Sequence, residues 1–207
     1  MAPAPGPFAP RSDLDVVTLV REQPLAWLVS AGEGAFMSTL LPVMPVLDER
    51  HRITHLRGHL SRRNDQVAHL KRYPRARILV LGPHGYVSPS WMHDRTQAPT
   101  WNYASAAFDV NLGFSEDVAG LEAHLRHMVG TMEADRPQSW QVDEMGPRMQ
   151  RLARGIIAFE AEVLAVEARF KLGQDERDDV FADILSGLER SGDDALATWM
   201  RRFADRN

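Results

Sequence analysis

Four consecutive polar residues, Ser61 to Asn64, have the types and the position that anion binding requires. We predict a strand over residues 51–60 before them and a short helix over residues 64–73 after them. The first backbone N–H groups of a helix lack intrahelical acceptors, and the helix dipole is positive at that end. The adjacent guanidiniums of Arg62 and Arg63 add charge and the forked donors that phosphate oxygens accept. The sequence therefore predicts that this turn binds a phosphate or another anion.

Histidines recur on the strand that leads into this turn. Its residues alternate between a face with His51, Ile53, His55, Arg57 and His59 and a face with Arg52, Thr54, Leu56, Gly58 and Leu60. We expect the second face to join the core and the first to line a pocket or a subunit interface. The histidines are also spaced four residues apart, as on a metal-binding helix. Gly58 and the β-branched Ile53 favour a strand, so we predict no divalent-metal site here.

Aromatic residues cluster after the next predicted strands, which cover residues 77–81 and 85–88 around a Gly82–Gly85 turn. Trp91, Trp101 and Tyr103 lie in or beside a predicted loop over residues 97–103. Such side chains either pack into a core or form a wall against a flat ring, since aromatics stack with flavins, haems and bases. The sequence alone leaves both interpretations open.

Charge and composition restrict the classes of function. The formal net charge of −4 argues against bulk electrostatic binding to DNA, and the absence of cysteine excludes disulfides, thiolate metal sites and cysteine nucleophiles. Nine basic residues but one acid, Asp65, fall between Arg50 and Arg77. That basic block is either a solvated or intersubunit surface, or it faces an anionic cofactor. With no apolar signal region and no apolar run near the ~18–20 residues of a membrane span, we expect a cytoplasmic protein.

The remaining periodicity predicts strands and helices in a mixed order. We predict strands over residues 25–29, 35–41, 104–111 and 155–167, with a turn over Gly32–Gly34. A first helix is predicted to begin at Ser12 or Asp13 and to end at Pro24, and another to begin at a Ser115 cap. Three more helices are predicted over residues 141–153, 174–190 and 193–203. The stripe of Val118, Leu121, Leu125, Met128, Val129 and Met132 is expected to face the core. This order indicates a small β-barrel with helices outside it.

Two longer motifs resemble a known family. Gly58–Asn64 (GHLSRRN) is similar to its G-H-L-A-R-x-N, and Gly82–Trp91 followed by Pro99–Tyr103 is similar to its G-P-H-x-Y-[IV]-S-P-x-W and P-T-W-N-Y. Phe170–Gln174 (FKLGQ) resembles a further, shorter piece. This is the PaiB-like family of FMN-binding negative transcriptional regulators, within the FMN-binding split barrels. The resemblance covers about residues 8–200.

The resemblance implies an α+β fold, mainly β: a six-stranded antiparallel split β-barrel with peripheral helices. It implies a domain over residues 1–170, a C-terminal helical extension over residues 171–207, and a homodimer with FMN at the subunit interface. The protein would be a transcriptional regulator or a flavin-dependent oxidoreductase. The cofactor-binding residues that follow are His59, Ser61, Arg62, Arg63, Asn64, Ser88, Trp91, Trp101, Asn102 and Tyr103. No catalytic residue is assigned, and whether the protein is an enzyme stays open.

Departures from the family pattern leave two alternatives. Leu40 replaces a histidine, Asp65 a proline and Met92 an aromatic residue, and these changes bear on activity more than on fold. One alternative is the related piperazate synthases, which bind haem b and close an N–N bond in N-hydroxyornithine. His59, or else His55, would then be the axial ligand. The other is a DNA-binding regulator without cofactor chemistry, for which the basic block is the candidate surface.

Overall fold

The computed structural model describes residues 6–32 and 34–203. Its α-helices are α1 (Asp13–Glu22), α2 (Asp65–Arg72), α3 (Val118–Glu133), α4 (Pro147–Ala153), α5 (Asp178–Ser191) and α6 (Asp194–Phe203). Its strands are β1 (Leu25–Gly32), β2 (Ala35–Pro42), β3 (Met44–Leu47), β4 (Ile53–Ser61), β5 (Arg75–Val87), β6 (Thr100–Ser115) and β7 (Ile156–Lys171). The predicted turn after β1 includes Glu33, which lies outside the described residues.

The strands form one sheet in the order β2-β1-β5-β6-β7-β4-β3. β1 pairs antiparallel with β2 and β5, and β4 pairs antiparallel with β3 and β7. The predicted α+β split barrel is confirmed, with seven strands in place of six. The additional strand is β3, which contains Pro45 and lies at one end of the order, where a missing N–H does not interrupt a ladder.

The predicted turn at Gly82–Gly85 is wrong, because β5 continues through it. A Cβ on Gly82 would lie 2.6 Å from Leu19 Cδ1 and 3.1 Å from the Ala104 carbonyl oxygen, and one on Gly85 would lie 3.0 Å from Leu196 Cδ2. Both glycines therefore allow close packing against helices and a neighbouring strand, which is a different use of the residue from turning the chain. The predicted loop over residues 97–103 is also shorter than expected, since β6 begins at Thr100.

The described chain divides into two compact units. The first comprises Met1–Gln23, Val80–Ala106 and Glu167–Asn207, and the second comprises Pro24–Leu79 and Ala107–Val166. Fully buried side chains of the first unit include Leu19, Phe170, Leu172, Ile184, Leu188 and Leu196; those of the second include Leu28, Leu56, Leu70, Ile78, Phe108 and Ile157. The described part of the predicted C-terminal extension (residues 171–207) ends at residue 203 and belongs wholly to the first unit.

Helix α3 covers the second unit less completely than its apolar stripe predicted. Its N-cap is Asp117, whose carboxylate accepts hydrogen bonds from the Ala119 and Gly120 amides, so the predicted cap at Ser115 is wrong by two residues. Leu121 is buried against α4, but Val118 is 61% exposed. One side of α3 is therefore open to solvent. Among the described helices, none is both long and apolar enough to cross a membrane.

Candidate cofactor-binding site

The backbone amides of the turn between β4 and α2 donate hydrogen bonds both within the turn and to Gly155. The Arg62 amide donates to the Gly155 carbonyl at 2.9 Å, and the Asn64 amide donates to the Ser61 carbonyl at 3.0 Å. The Arg63 amide donates to the Ser61 hydroxyl at 3.3 Å. These amides already have acceptors, so the turn offers an anion its side chains more than the free backbone N–H groups that the sequence suggested.

Two of the exposed side chains at this turn differ in how they are paired. Arg62 Nη1 lies 2.6 Å from the Glu116 carboxylate, which Lys71 Nζ also contacts at 3.3 Å. Hydrogen bonds from Arg62 and then from Lys71 lower the pKa of the Glu116 carboxyl. The Arg63 guanidinium is exposed and has no carboxylate partner in the described part of the chain. Arg63 is thus the cation most ready to receive an external anion.

Asn64 has a structural position within the turn. Its side-chain oxygen accepts a hydrogen bond from the Gln66 amide at 2.9 Å and caps α2, and its amide group donates to the Thr39 hydroxyl at 2.9 Å. An asparagine at the N-cap with extended backbone is among the favoured residues for starting a helix. The predicted cofactor contact by Asn64 stays a prediction. In the structure, the hydrogen bonds of this side chain stabilise the turn and the start of α2.

The predicted alternation along β4 is confirmed from His55 onward, whereas Ile53 and Thr54 are both partly buried. Leu56, Gly58 and Leu60 are buried, whereas the opposite face holds the partly exposed His55 and His59. His51 does not belong to that face, because it lies in the preceding turn with a positive φ of 60° and the strand begins two residues later than predicted.

His59 is paired with a histidine that sequence reasoning missed. Its Nδ1 lies 3.4 Å from His124 Nε2 of α3, and the two rings meet edge to face. Burial lowers the pKa of His59, and burial together with His59, His127 and Arg57 lowers the pKa of His124 to about 4. Both imidazoles are therefore neutral near pH 7 and can share one proton in a hydrogen bond. Spacing within α3 could not have revealed this pair, because it joins residues 65 positions apart.

A cavity of about 470 Å³ opens beside this pair in the second unit. Its lining is mostly apolar, with Arg57 and Glu160 paired at 2.8 Å on one wall and His124 and His127 of α3 on another. Within the described residues, no cluster of three or more histidine, aspartate or glutamate side chains could hold a metal ion. The cavity suits a largely apolar ligand that meets a few polar groups.

The other predicted cofactor residues belong to the first unit. Trp101 is exposed and meets Tyr86 with ring centroids 6.0 Å apart, and Tyr103 is half-buried nearby in β6. The Ser88 hydroxyl caps a 3-10 turn by accepting from the Ser90 amide. Trp91 packs on Gly187 of α5, and Asn102 is buried with its amide toward the Met200 sulfur. Trp101 has the exposure that stacking on a ring requires, whereas Trp91 and Asn102 pack inside their unit.

Residues 4–165 match the family model described as "Putative FMN-binding domain". The chain belongs to this FMN-binding family. The similar protein "Protease synthase and sporulation protein PAI 2" of Bacillus subtilis is 26% identical over 84% of this chain and 83% of its own length. Thus the predicted PaiB-like relationship is confirmed by a match that includes the Ser61–Asn64 turn.

Solved structures similar to this FMN-binding family member share its fold at low sequence identity. The FAD and haem binding protein from Mycobacterium smegmatis matches with a TM-score of 0.58 and 15% identity, over 85% of this chain and 78% of its own. The flavocytochrome Anf3 from Azotobacter vinelandii matches with a TM-score of 0.57 and 15% identity, over 77% of this chain and 68% of its own. At such identities the likeness establishes the split-barrel fold alone.

The lowered pKa of His124 predicts a pH dependence of stability in this family member. Between the ordinary value of 6.5 and about 4, the unfolded chain binds a proton at this residue that the folded chain does not. Stability therefore falls as the pH is lowered from 7 to 4. We expect His124→Gln to flatten this fall, measured as urea midpoints at pH 7, 6 and 5. His127→Gln removes one of the groups that lower the pKa of His124, so it should flatten the fall less than His124→Gln does. Equal slopes in all three proteins would contradict the assignment.

Proposed function

We propose that this protein binds FMN and that Ser61, Arg62 and Arg63 hold its phosphate. The observation that carries the proposal is an exposed Arg63 whose backbone amide donates to the Ser61 hydroxyl, in a turn that lies inside the FMN-binding family match. A phosphate dianion fits these groups, since it accepts charge-assisted hydrogen bonds from forked guanidinium donors and a further one from a hydroxyl. Bound FMN would supply hydride or single-electron transfer.

Arg62 would contribute less than Arg63, because it must first exchange Glu116 for phosphate. The carboxylate of Glu116 already forms ion pairs with both Arg62 and Lys71. Glu116 therefore competes with an external anion for these two cations. A dianion outcompetes a single carboxylate on charge, and the exchange leaves Lys71 to retain Glu116. In the free protein, Arg62 is thus paired with Glu116, and it becomes available only when phosphate replaces that carboxylate.

The pairing of the basic block favours an oxidoreductase over a DNA-binding regulator. Within the described residues, five of its cations have carboxylate partners in their own unit: Arg52 with Asp48, Arg57 with Glu160, Arg62 and Lys71 with Glu116, and Arg77 with Asp109. Neutralised cations release few counterions from DNA, and that release supplies most of non-specific DNA affinity. We therefore place the chemistry with the flavin and treat DNA binding as the weaker candidate.

Flavin titration tests the proposal directly. The purified protein should quench FMN fluorescence with saturation, bind riboflavin more weakly because riboflavin lacks the phosphate, and gain thermal stability with added FMN. At a hundred times the dissociation constant, one bound ligand adds about 2.7 kcal/mol to the free energy of unfolding. Equal affinities for FMN and riboflavin would contradict the proposed phosphate site. If the protein bound neither flavin, the whole proposal would be overturned.

Haem is the second candidate, and the His59–His124 pair favours it. A neutral imidazole is the form that ligates iron, and the hydrogen bond that its other ring N–H donates fixes its orientation. In the tautomer in which His59 Nδ1 donates to His124 Nε2, the His59 Nε2 is unprotonated and is left for a ligand. Added hemin should then give a Soret band that is lost in His59→Ala and kept in His55→Ala. A spectrum of free hemin with the wild-type protein would end this candidate.

We infer that a second copy of the chain covers an exposed apolar patch on the second unit. Trp27 is flanked in register by Leu40 on β2 and Leu79 on β5, and all three side chains are exposed. Three neighbouring large apolar side chains on one sheet face indicate an interaction surface. Trp27→Glu should shift the protein from dimer to monomer in light scattering, whereas Leu152→Glu on α4 should not. A wild-type monomer at micromolar concentration would exclude this interface.

A further inference from the structure

We propose that Thr39 and Gln66 are positioning residues for the phosphate-binding turn, an inference that rests on the proposed FMN function. Neither residue belongs to the turn, and neither would touch the cofactor. Each acts through Asn64, whose side chain they hold from β2 and from α2. Flavin affinity is therefore expected to depend on a hydroxyl in the β1–β2 hairpin, 22 or more residues before the turn in the sequence.

Thr39, Asn64 and Gln66 form a closed cycle of hydrogen bonds, to which Gln66 contributes both its side chain and its backbone amide. The Thr39 hydroxyl donates to Gln66 Oε1 at 2.7 Å and accepts from Asn64 Nδ2 at 2.9 Å. Asn64 Oδ1 accepts from the Gln66 backbone amide at 2.9 Å, which completes the cycle. Every member both donates and accepts, so the orientation of each side chain is determined by the other two.

Gln66 anchors this cycle to the core of the second unit. It is 1% exposed, and its Nε2 lies 3.0 Å from both the Leu28 carbonyl and the Ser30 hydroxyl on β1. A buried amide with partners on each side cannot rotate without leaving polar groups unsatisfied. The helix start at Asn64 is therefore fixed relative to β1 and β2, two strands that contribute no predicted phosphate ligand.

Fixing Asn64 also fixes the direction of the cations beside it. The Asn64 amide closes the turn onto Ser61, so rotation of this residue would move the backbone from which Arg62 and Arg63 project. Guanidinium and hydroxyl groups bind a tetrahedral phosphate well only when they are held in one arrangement before it arrives. A flat ring bound elsewhere does not depend on this arrangement. Loss of the cycle should therefore weaken FMN and leave riboflavin unchanged.

Thr39→Val is the sharpest test, because valine keeps the branched shape and removes the hydroxyl. We expect the dissociation constant for FMN to rise about tenfold, with that for riboflavin within about twofold of wild type. Thr39→Ser, which retains the hydroxyl, should bind FMN as the wild type does. Unchanged FMN affinity in Thr39→Val, or equal losses for FMN and riboflavin, would overturn the inference. A wild-type protein that binds no flavin would instead overturn the proposed function.

Hydrogen exchange in the flavin-free protein gives an independent measurement. In Thr39→Val, the amides of residues 62–66 should exchange at least about tenfold faster than in the wild type, with protection elsewhere in the core strands retained. Unchanged protection of these amides would show that the cycle does not hold the turn. This comparison needs no bound cofactor, and it also establishes that the variant is folded before its affinity is measured.

Discussion

Replacing Phe170 with alanine is expected to lower the free energy of unfolding by about 3–5 kcal/mol. Phe170 is 1% exposed, and its ring lies 5.8 Å from that of Trp199 and 5.4 Å from that of Phe203, centroid to centroid. Its backbone amide also donates to the Phe8 carbonyl at 2.7 Å. Truncation leaves a cavity among large rings on α6 that cannot all move to fill it. Urea denaturation followed by tryptophan fluorescence measures the loss.

Phe36→Ala is the matched control for this change. The same atoms are removed from a side chain that is 84% exposed, so its stability should stay within about 0.5 kcal/mol of wild type. Similar losses in both variants would mean that the aromatic cluster around Phe170 does not stabilise α6 as described.

Replacing Arg62 and Arg63 together with alanine is expected to raise the dissociation constant for FMN at least about a hundredfold. Hydrogen bonds to charged groups contribute about 1.5–3 kcal/mol each, and tenfold in affinity corresponds to about 1.4 kcal/mol. Arg63→Ala alone should account for most of the loss, because binding through Arg62 must break its contact with Glu116. Fluorescence titrations with FMN and riboflavin separate a phosphate effect from a general one.

Two further variants test whether FMN affinity depends on the charges around the turn in the expected direction. Arg50→Ala removes the same charge from the turn before β4 and should leave both affinities unchanged. Glu116→Gln should strengthen FMN binding several-fold, since it frees Arg62 and Lys71 from a competing carboxylate. An FMN affinity in the double variant equal to that of Arg50→Ala would place the phosphate elsewhere.

The local structure around the turn could be predicted from the sequence, because its determinants are local. Alternation predicted the faces of β4, and the helix predicted over residues 64–73 corresponds to α2 (Asp65–Arg72). The partners of these residues could not be predicted, since the pairing of His59 with His124 and of Asn64 with Thr39 depends on which elements meet. Periodicity identifies the side of an element that is buried, and it carries no information on its neighbour.

The roles of motif residues were harder to predict, because the same residue type can contact a ligand or stabilise the backbone. Lys171 and Gln174 belong to the short motif Phe170–Gln174 that resembled the family, and the motif alone assigned them no role. In the structure, Lys171 Nζ contacts the Thr100 hydroxyl and the Trp101 carbonyl, and Gln174 Oε1 accepts from the Leu172 amide at 2.7 Å. These side chains hold backbone in place. Likewise, the glycines at positions 82 and 85 suggested a turn because composition cannot distinguish a bend from a close approach.

Strands β5, β6 and β7 each run from one compact unit into the other without interruption, at Leu79–Val80, Ala106–Ala107 and Val166–Glu167. Neither unit is therefore a contiguous stretch of coding sequence. No single gene fusion or premature stop codon can keep one whole unit and discard the other, and a break at any of these three junctions would fall inside a strand. Recombination is expected to pass this fold on whole, so variation among descendants should accumulate by substitution and by changes in the connections between strands.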